Sequence, residues 1–248
     1  MKKKIVVFSG AGLDRESGIL TFRDCKDGLW NNYKIEDVAT PNGWKKNPQA
    51  VLDFYNERRS ELPNVEPNKA HKSLVELEDH FEVIHLTQNV SDLLERAGAT
   101  EVYHLHGDLT KARGDNGTKM MDRFRLNEIT DIGYDNIKIG DVCEKFGTQL
   151  RPNIVWFGEM PFHVSKGYQV LEKADILIVI GTSLQIGYTL EMLRAVNKEC
   201  RIVYIDPQPM NYLSNYGMKV EYIREMAEKG VSNFVNELID GVNENNDN

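Results

Sequence analysis

The stretch IVVFSGAGLDRESGILTFR, residues 5–23, decides the fold of this chain. Its first four residues form a short apolar run, which is typical of a strand buried on both faces. The small-residue turn Ser9-Gly10-Ala11-Gly12 follows, and then a polar segment suited to a helix. Strand, glycine turn and helix start together form the phosphate cradle of dinucleotide-binding folds. Because the spacing is not a full G-x-G-x-x-G, a tight turn without a ligand is an equal alternative for this stretch alone.

The composition excludes several classes of protein. Of the 248 residues, 41% are hydrophobic, which is enough for a folded core of one or two domains. The net charge of −8 gives no sign of a nucleic-acid-binding surface. The longest aliphatic run, residues 176–180, is too short to span a membrane, and no signal peptide is visible. Three widely spaced cysteines argue against a disulfide framework, so we expect a cytoplasmic protein.

The order of predicted elements indicates an α/β fold. Apolar runs at residues 5–8, 81–86, 101–105, 153–157, 175–180 and 201–205 alternate with helical patterns. This alternation predicts a doubly wound, Rossmann-like parallel sheet. We assign residues 1–24, 68–108 and 151–242 to this dinucleotide-binding domain. Two insertions, residues 25–67 and 109–150, are expected to form a smaller domain, and residues 243–248 a disordered tail.

Four predicted strands end in small or polar residues that suit a ligand site. These ends are Gly10–Gly12, Gln88-Asn89, His106 and Gly181-Thr182-Ser183. Singly, each has an ordinary structural interpretation as a turn, a hydrogen-bonded histidine or a helix cap. In an open parallel sheet, however, the carboxyl ends of the strands meet at one edge, where ligands bind. Together they predict a dinucleotide site with one candidate base, in the cleft between the two domains.

Several longer blocks resemble one known family. They are GAGLDRESGILTFR (10–23), TQNVSDLLERAG (87–98), HLHG (104–107), RPNIVWFGEMP (151–161) and GTSLQI (181–186). These blocks are similar to the signature motifs of the sirtuin (Sir2) family of NAD-dependent protein lysine deacylases, in the family's order and spacing. The stretches at 28–30, 35–41, 54–59 and 67–71 resemble the bacterial desuccinylase-type members.

The resemblance implies an activity and a set of roles. The oxygen of an acyl-lysine would attack C1′ of the nicotinamide ribose, nicotinamide would leave, and O-acyl-ADP-ribose would form. The implied catalytic residues are His106, as the general base, and Asn89. The implied NAD-binding residues are Gly10, Ala11, Gly12, Asp14, Phe22, Arg23, Gln88, Asn89, Ser91, Gly181, Thr182, Ser183 and Asp206.

The resemblance also implies how an acylated peptide or protein would be held. Val155 and Phe157-Gly158-Glu159 would pair with the substrate as an added strand. Tyr55 and Arg58 match the Tyr-x-x-Arg pair that recognises acidic acyl groups, since a guanidinium grips a carboxylate well. The alternative is that these are plain helix-surface residues, since positions i and i+3 share a face of any helix.

The sequence also departs from the family pattern. The second insertion holds only Cys143, so four zinc-binding thiolates cannot be assembled and we expect no structural zinc. Asp14 replaces a serine of the family motif, and Ser91 replaces an aspartate. Leu94 replaces a histidine, and Tyr204 replaces the asparagine expected on the adenosine ribose, although Asp206 could accept from that ribose. The Asp14 and Ser91 changes are either compensatory or a sign of weaker nicotinamide binding.

Three functions therefore remain, in decreasing order of preference. The first is an NAD-dependent deacylase acting on acetyl- or succinyl-lysine. The second is an NAD glycohydrolase or ADP-ribosyltransferase, favoured by the altered pocket. The third is a low-activity module that binds NAD or ADP-ribose. The sequence leaves the acyl group, the substrate protein and the oligomeric state open.

Overall fold

The computed structural model describes residues 2–19, 29–30, 33–115 and 129–246. Its strands, in chain order, are β1 (Lys4–Ser9), β2 (Leu29–Trp30), β3 (Tyr33–Lys34), β4 (Glu82–Thr87), β5 (Val102–His104), β6 (Gly107–Gly114), β7 (Ile129–Asp131), β8 (Leu150–Ile154), β9 (Ile176–Ile180), β10 (Arg201–Ile205) and β11 (Val220–Ile223). Its α-helices are α1 (Ile35–Val38), α2 (Pro41–Lys46), α3 (Pro48–Glu61), α4 (Lys69–Glu76), α5 (Leu93–Ala97), α6 (Val164–Leu171), α7 (Gly187–Leu193), α8 (Tyr212–Asn215) and α9 (Ala227–Asn246).

A six-stranded parallel sheet forms the centre of the larger domain. The strand order is β11-β10-β9-β1-β4-β5. If these six strands are numbered 1 to 6 along the chain and the sheet is read from the β5 edge, the order is 3-2-1-4-5-6. This is the strand order of the doubly wound dinucleotide-binding fold. The predicted fold class is therefore confirmed. The order reverses between β1 and β9, and this switch point places a crevice at the carboxyl ends of those two strands.

The first strand is buried on both faces, as its apolar run predicts. Ile5 and Val7 pack into one apolar cluster, together with residues of α4 and α9. Val6 and Phe8 pack into a second cluster, with residues of α6 and α7. All four side chains are fully buried. Helices thus cover both faces of the sheet, which holds the ligand edge of the strands rigid.

The smaller domain consists of α1 to α3 and an antiparallel sheet in the order β7-β6-β8. Trp44 from the first insertion stacks near Trp156, with ring centroids 5.7 Å apart, in a third apolar cluster. The fully buried Arg59 donates from Nε to the carbonyl of Leu109, which ties α3 to β6. The two insertions therefore share one core.

Several predicted boundaries differ from the structure. The strand expected at residues 153–157 is β8, Leu150–Ile154, and it pairs with β6 of the smaller sheet instead of the central one. The apolar character of Trp156 reflects burial in the small-domain core, not membership of a strand. The domain boundaries drawn at residues 108 and 151 consequently fall inside β6 and β8. The short strand β11 was not predicted, because an edge strand of four half-exposed residues has a weak apolar signal.

The C-terminal helix is longer than predicted. The pattern predicts a helix over 231–239 and a disordered tail from 243, but α9 runs from Ala227 to Asn246. Its apolar face packs on the central sheet through Val231, Phe234 and Val235. Once that face anchors the helix, each further residue adds a backbone hydrogen bond for the conformational entropy of only one residue. A polar composition alone therefore does not end the helix.

Candidate active site

Hydrogen bonds join the ends of the central strands. Asn89, after β4, donates from Nδ2 to the carbonyl of Gly10, after β1, at 3.0 Å. Gln88 donates from Nε2 to Oγ1 of Thr182, after β9, at 2.8 Å. The carbonyl of Gln88 accepts from Nδ1 of His106, after β5, at 3.0 Å. The structure thus brings together the four strand ends singled out in the sequence, at the switch-point crevice.

The imidazole of His106 is held in one tautomer. A carbonyl can only accept, so Nδ1 carries the proton in its bond to Gln88, and Nε2 of the neutral ring carries the lone pair. Burial lowers the pKa of His106 to about 4, although the bond to Gln88 works in the opposite direction. The ring is neutral at physiological pH and able to accept a proton at Nε2.

The glycine turn differs from the predicted phosphate cradle. The N–H groups of Gly10 and Gly12 donate to the carbonyls of Ile180 and Gly181, at 2.9 and 2.8 Å. A Cβ on Gly12 would lie 2.5 Å from Cα of Gly181, so glycine is needed here for the close approach of two loops. Within the described residues, the element that directly follows the turn is a three-residue 3-10 helix, Arg15–Ser17, and not the α-helix start that the sequence predicts there. Among the described residues, the backbone N–H of Ala11 is the amide of this turn that has no hydrogen-bond partner in the protein.

The carboxylate of Asp14 is the centre of a buried polar cluster. Its Oδ1 accepts from Nδ2 of Asn89 at 2.6 Å and from Nε2 of His71 at 3.2 Å. Its Oδ2 accepts from the hydroxyl of Ser91 at 2.6 Å. His71 can donate from Nε2 because its Nδ1 accepts from the backbone N–H of Asn68. Asp14 and Ser91, the two exchanged positions of the family motif, are therefore direct partners.

This cluster supports a compensatory exchange of the two positions. Ser91 stands just before Asp92, the N-cap of α5, and no side chain caps that helix. The Ser91 hydroxyl is instead committed to Asp14. The family motif also has a carboxylate and a hydroxyl at these two positions, but there the serine stands at position 14 and the aspartate at position 91. The carboxylate also holds Asn89, one of the two expected catalytic residues.

The expected adenosine side of the crevice is filled differently from the family pattern. Tyr204 is fully buried and its hydroxyl donates to the carbonyl of Thr182, so its phenol supports the loop after β9. Asp206 is buried and accepts the N–H of Gln208 at Oδ1. Ser183 is half-buried in the same loop. Phe22 and Arg23, expected at the phosphates and the reacting face, lie outside the described residues.

The segment expected to pair with a peptide forms a turn. The N–H of Val155 donates to the carbonyl of His106, and that of Phe157 donates to Ala39, both at 2.9 Å. Gly158 has φ +91°. The side chain of Glu159 accepts two bonds from Arg151, at 2.8 and 3.0 Å, and is therefore committed to an internal ion pair. Phe157 is exposed, at 54%.

Tyr55 and Arg58 lie on α3, and both are buried, with 3% and 8% exposure. The guanidinium of Arg58 stacks 3.4 Å from the ring centroid of Phe54 and donates to the Phe54 carbonyl at 2.7 Å. Burial lowers the pKa of Arg58, and burial raises the pKa of Tyr55. The alternative of plain helix-surface residues is therefore wrong, because neither side chain is at the surface.

Sequence reasoning missed three side chains next to these residues. Tyr188 donates to Nε2 of His106 at 2.6 Å, and His71 donates to Asp14. His104 contacts the carbonyl of Asn89 through Nδ1 at 2.8 Å and Oε1 of Glu95 through Nε2 at 2.8 Å. Burial alone would lower the pKa of His104, but the hydrogen bond and charge of Glu95, with Asp108, raise it overall. Of the three, only His104 carried a signal, because it ends β5 two residues before the base.

The second insertion forms a turn at its one cysteine. Cys143 is buried, and its carbonyl accepts the N–H of Gly147 at 2.8 Å. Within the described part of the chain, no three His, Cys, Asp or Glu side chains converge as a ligand set for a metal ion. Over the same residues, no helix combines the length and apolar character of a membrane span.

Comparison with known proteins gives one consistent result. A sequence model of the Sir2 family matches residues 10–187. A protein from Helicobacter pylori named NAD-dependent protein deacylase is 43% identical over 238 residues, which cover 96% of this chain and 98% of the relative. A protein of the same name from Bacteroides thetaiotaomicron is 41% identical over 239 residues, with the same coverage of both chains.

Solved structures agree with the sequence relatives. A Sir2 homologue in complex with NAD has a TM-score of 0.79 at 33% identity, covering 97% of this chain and 91% of its own. A mutant Sir2 homologue in complex with ADP-ribose has a TM-score of 0.80 at 33% identity, covering 98% and 94%.

Proposed function

This chain belongs to the Sir2 family, and from that premise we propose that it is an NAD-dependent protein lysine deacylase with a preference for acidic acyl groups. The observation that carries the activity is the fixed tautomer of His106, whose basic nitrogen lies at the switch-point crevice. The curated relatives over nearly the whole chain bear the name of this activity.

The crevice has the features that a dinucleotide requires. Two loops, after β1 and β9, flank the point where the strand order reverses, which is where such ligands bind in doubly wound sheets. Gly12 and Gly181 allow these loops to touch, and the side chain of Gln88, after β4, donates to Thr182 in the loop after β9. When bound, NAD supplies the electrophilic ribose carbon to which the acyl oxygen is transferred. Asp206 and Ser183 would contact the adenosine half, and Gln88 and Asn89 the nicotinamide ribose.

The residues of the chain have separable tasks. His106 accepts a proton from a ribose hydroxyl at Nε2, for which its neutral state at physiological pH is suited. The Gln88 carbonyl holds the ring in position through Nδ1. Asp14 holds the Asn89 amide through a bond of 2.6 Å between buried groups. Positioning of this kind matters because small displacements at a reacting centre reduce rates strongly.

The acyl preference rests on Tyr55 and Arg58. A guanidinium can bind a carboxylate through two parallel hydrogen bonds, and a succinyl group would bring such a carboxylate to Arg58, in addition to the Glu57 carboxylate that lies 3.6 Å from it. The phenol of Tyr55, three residues earlier on α3, would add a hydrogen bond to the same carboxylate. The stacking of Arg58 on Phe54 fixes the plane of the guanidinium, which favours a bidentate contact.

The activity is tested by nicotinamide release from NAD, with and without a succinyl-lysine peptide, for the wild type and His106→Ala. We expect release that requires the peptide and falls at least a hundredfold in the variant. Release without peptide would instead support an NAD glycohydrolase, the second of the functions considered. No release under either condition would contradict both and leave a nucleotide-binding role.

The acyl preference is tested with matched succinyl- and acetyl-lysine peptides. We expect Arg58→Met to lower kcat/KM for the succinyl peptide about 30-fold, the loss of one strong charged contact, with little change for the acetyl peptide. Tyr55→Phe serves as the milder partner, since it removes a hydroxyl and keeps the ring. An equal loss on both peptides would contradict the preference and make Arg58 a structural residue of α3.

A further inference from the structure

The basic nitrogen of His106 has a hydrogen-bond partner within the protein. The hydroxyl of Tyr188 lies 2.6 Å from Nε2, and the two rings meet edge to face with centroids 5.9 Å apart. Since Nδ1 donates to Gln88, the neutral ring can only accept at Nε2, and the tyrosine must be the donor. The phenol therefore occupies the hydrogen-bonding position that the proposed reaction requires for a ribose hydroxyl.

The surroundings of Tyr188 suit a side chain that can withdraw. It lies in the first turn of α7, half-buried, with its ring against the apolar cluster on that face of the sheet. The residues just before it, 185–187, are exposed. One residue earlier, Leu184 has φ +53°, a conformation rare for a branched side chain, and it is buried to 3% exposure. A strained, anchored residue thus separates the rigid strand β9 from the short segment that carries the tyrosine.

We propose that Tyr188 is a gate on the general base, which it holds in the ligand-free enzyme and releases when the ribose hydroxyl of the dinucleotide takes its place. This inference rests on the proposed function, in which the crevice binds NAD and His106 is the base. Nε2 has one lone pair, so the phenol and the ribose hydroxyl cannot both donate to it. Opening the gate breaks one buried hydrogen bond, which weakens dinucleotide binding and leaves the chemical step unaffected.

The gate also affects the protonation of the base. A hydrogen bond donated to the neutral ring stabilises the neutral form, so it lowers the pKa of His106. Removing the phenol hydroxyl should therefore raise that pKa. Within the described part of the chain, the polar groups bonded to the ring are the Tyr188 hydroxyl and the Gln88 carbonyl, and only the first changes in a Tyr188→Phe variant.

The test compares Tyr188→Phe with Tyr103→Phe. The control tyrosine packs in the same apolar cluster, but its hydroxyl donates to Glu101 at the amino end of β5, away from the ligand edge. Calorimetry measures ADP-ribose affinity, and NMR follows the titration of the His106 ring in the ligand-free protein. We expect Tyr188→Phe to bind ADP-ribose about fivefold more tightly, to lower the KM for NAD by a similar factor, and to titrate at higher pH. Tyr103→Phe should match the wild type in all three.

Two results would overturn the gate. One is an ADP-ribose affinity and a His106 titration in Tyr188→Phe that equal those of Tyr103→Phe. The other is a kcat that falls tenfold or more at unchanged KM, which would make the phenol a participant in the reaction. The NMR titration needs no turnover, whereas the His106→Ala assay tests the activity itself, so failure of the gate and failure of the proposed function are distinguishable.

Discussion

Replacement of Asp14 should destabilise the protein strongly, and the size of the effect should depend on the shape of the new side chain. Asp14→Ala leaves the donors of His71, Asn89 and Ser91 without an acceptor, and all three residues are less than a tenth exposed. Each unsatisfied buried donor costs about 1–3 kcal/mol. Because the contributions are not additive, we expect a loss of about 3–5 kcal/mol in the free energy of unfolding.

Asp14→Asn should be milder because it can keep all three contacts. Its amide oxygen can replace Oδ1 and accept from His71 and Asn89. Its NH2 group then faces Ser91, whose hydroxyl can rotate from donor to acceptor. The hydrogen bonds then lose only the extra strength that a charged acceptor gives them, and the free energy of unfolding should fall by about 1–2 kcal/mol. For a chain of this length, thermal unfolding should fall by about 10 °C for Asp14→Ala and by about 4 °C for Asp14→Asn.

The double exchange of Asp14→Ser with Ser91→Asp tests whether the two positions compensate. Asp14→Ser alone lacks the carboxylate, and Ser91→Asp alone places two carboxylates in contact. The double variant restores one carboxylate and one hydroxyl, so it should be more stable than either single variant, with a coupling energy above about 1.5 kcal/mol. Thermal unfolding and inhibition by nicotinamide should recover together. Additive effects, or equal losses for alanine and asparagine at position 14, would refute this account of the cluster.

Three further outcomes follow from contacts outside that cluster. The raised pKa of His104 beside Glu95 means that its stabilisation is complete below pH 6.5 and is lost as the pH rises through the folded-state pKa, so His104→Gln should flatten the thermal stability between pH 6 and 9. Glu159→Ala should lower the free energy of unfolding by about 3 kcal/mol in chemical denaturation, since it leaves the buried guanidinium of Arg151 without its carboxylate. Gly107→Ala should yield little folded protein by circular dichroism, because φ is +92° and the new Cβ would overlap a backbone carbonyl oxygen.

The ligand edge was predictable because it follows from topology. Gln88, His106 and Thr182 each stand directly after an apolar run, and parallel strands place such residues at the same edge. The hydrogen bonds that join them are consistent with that rule. No detailed packing had to be known.

The contacts that tune the site were not predictable. Tyr188 meets His106 across 82 positions in the chain, and His71 meets Asp14 across 57. No periodicity encodes such a pair, because it depends on how helices dock on the sheet. The low pKa of His106 has the same origin, since burial of the ring is a property of the assembled crevice. The strand at β8 was misplaced because the apolar signal of Trp156 serves a core, not a sheet.

The dipeptide His106-Gly107 lies where the chain passes from the central sheet to the smaller sheet. β5 of the central sheet ends at His104 and β6 of the smaller sheet begins at Gly107, so the base stands between them. Its carbonyl accepts the N–H of Val155, which directly follows β8, while its ring is bonded to Gln88, which follows β4. The main chain of the base is therefore tied to the smaller sheet and its side chain to the central one, so a change in either sheet would be felt at the imidazole.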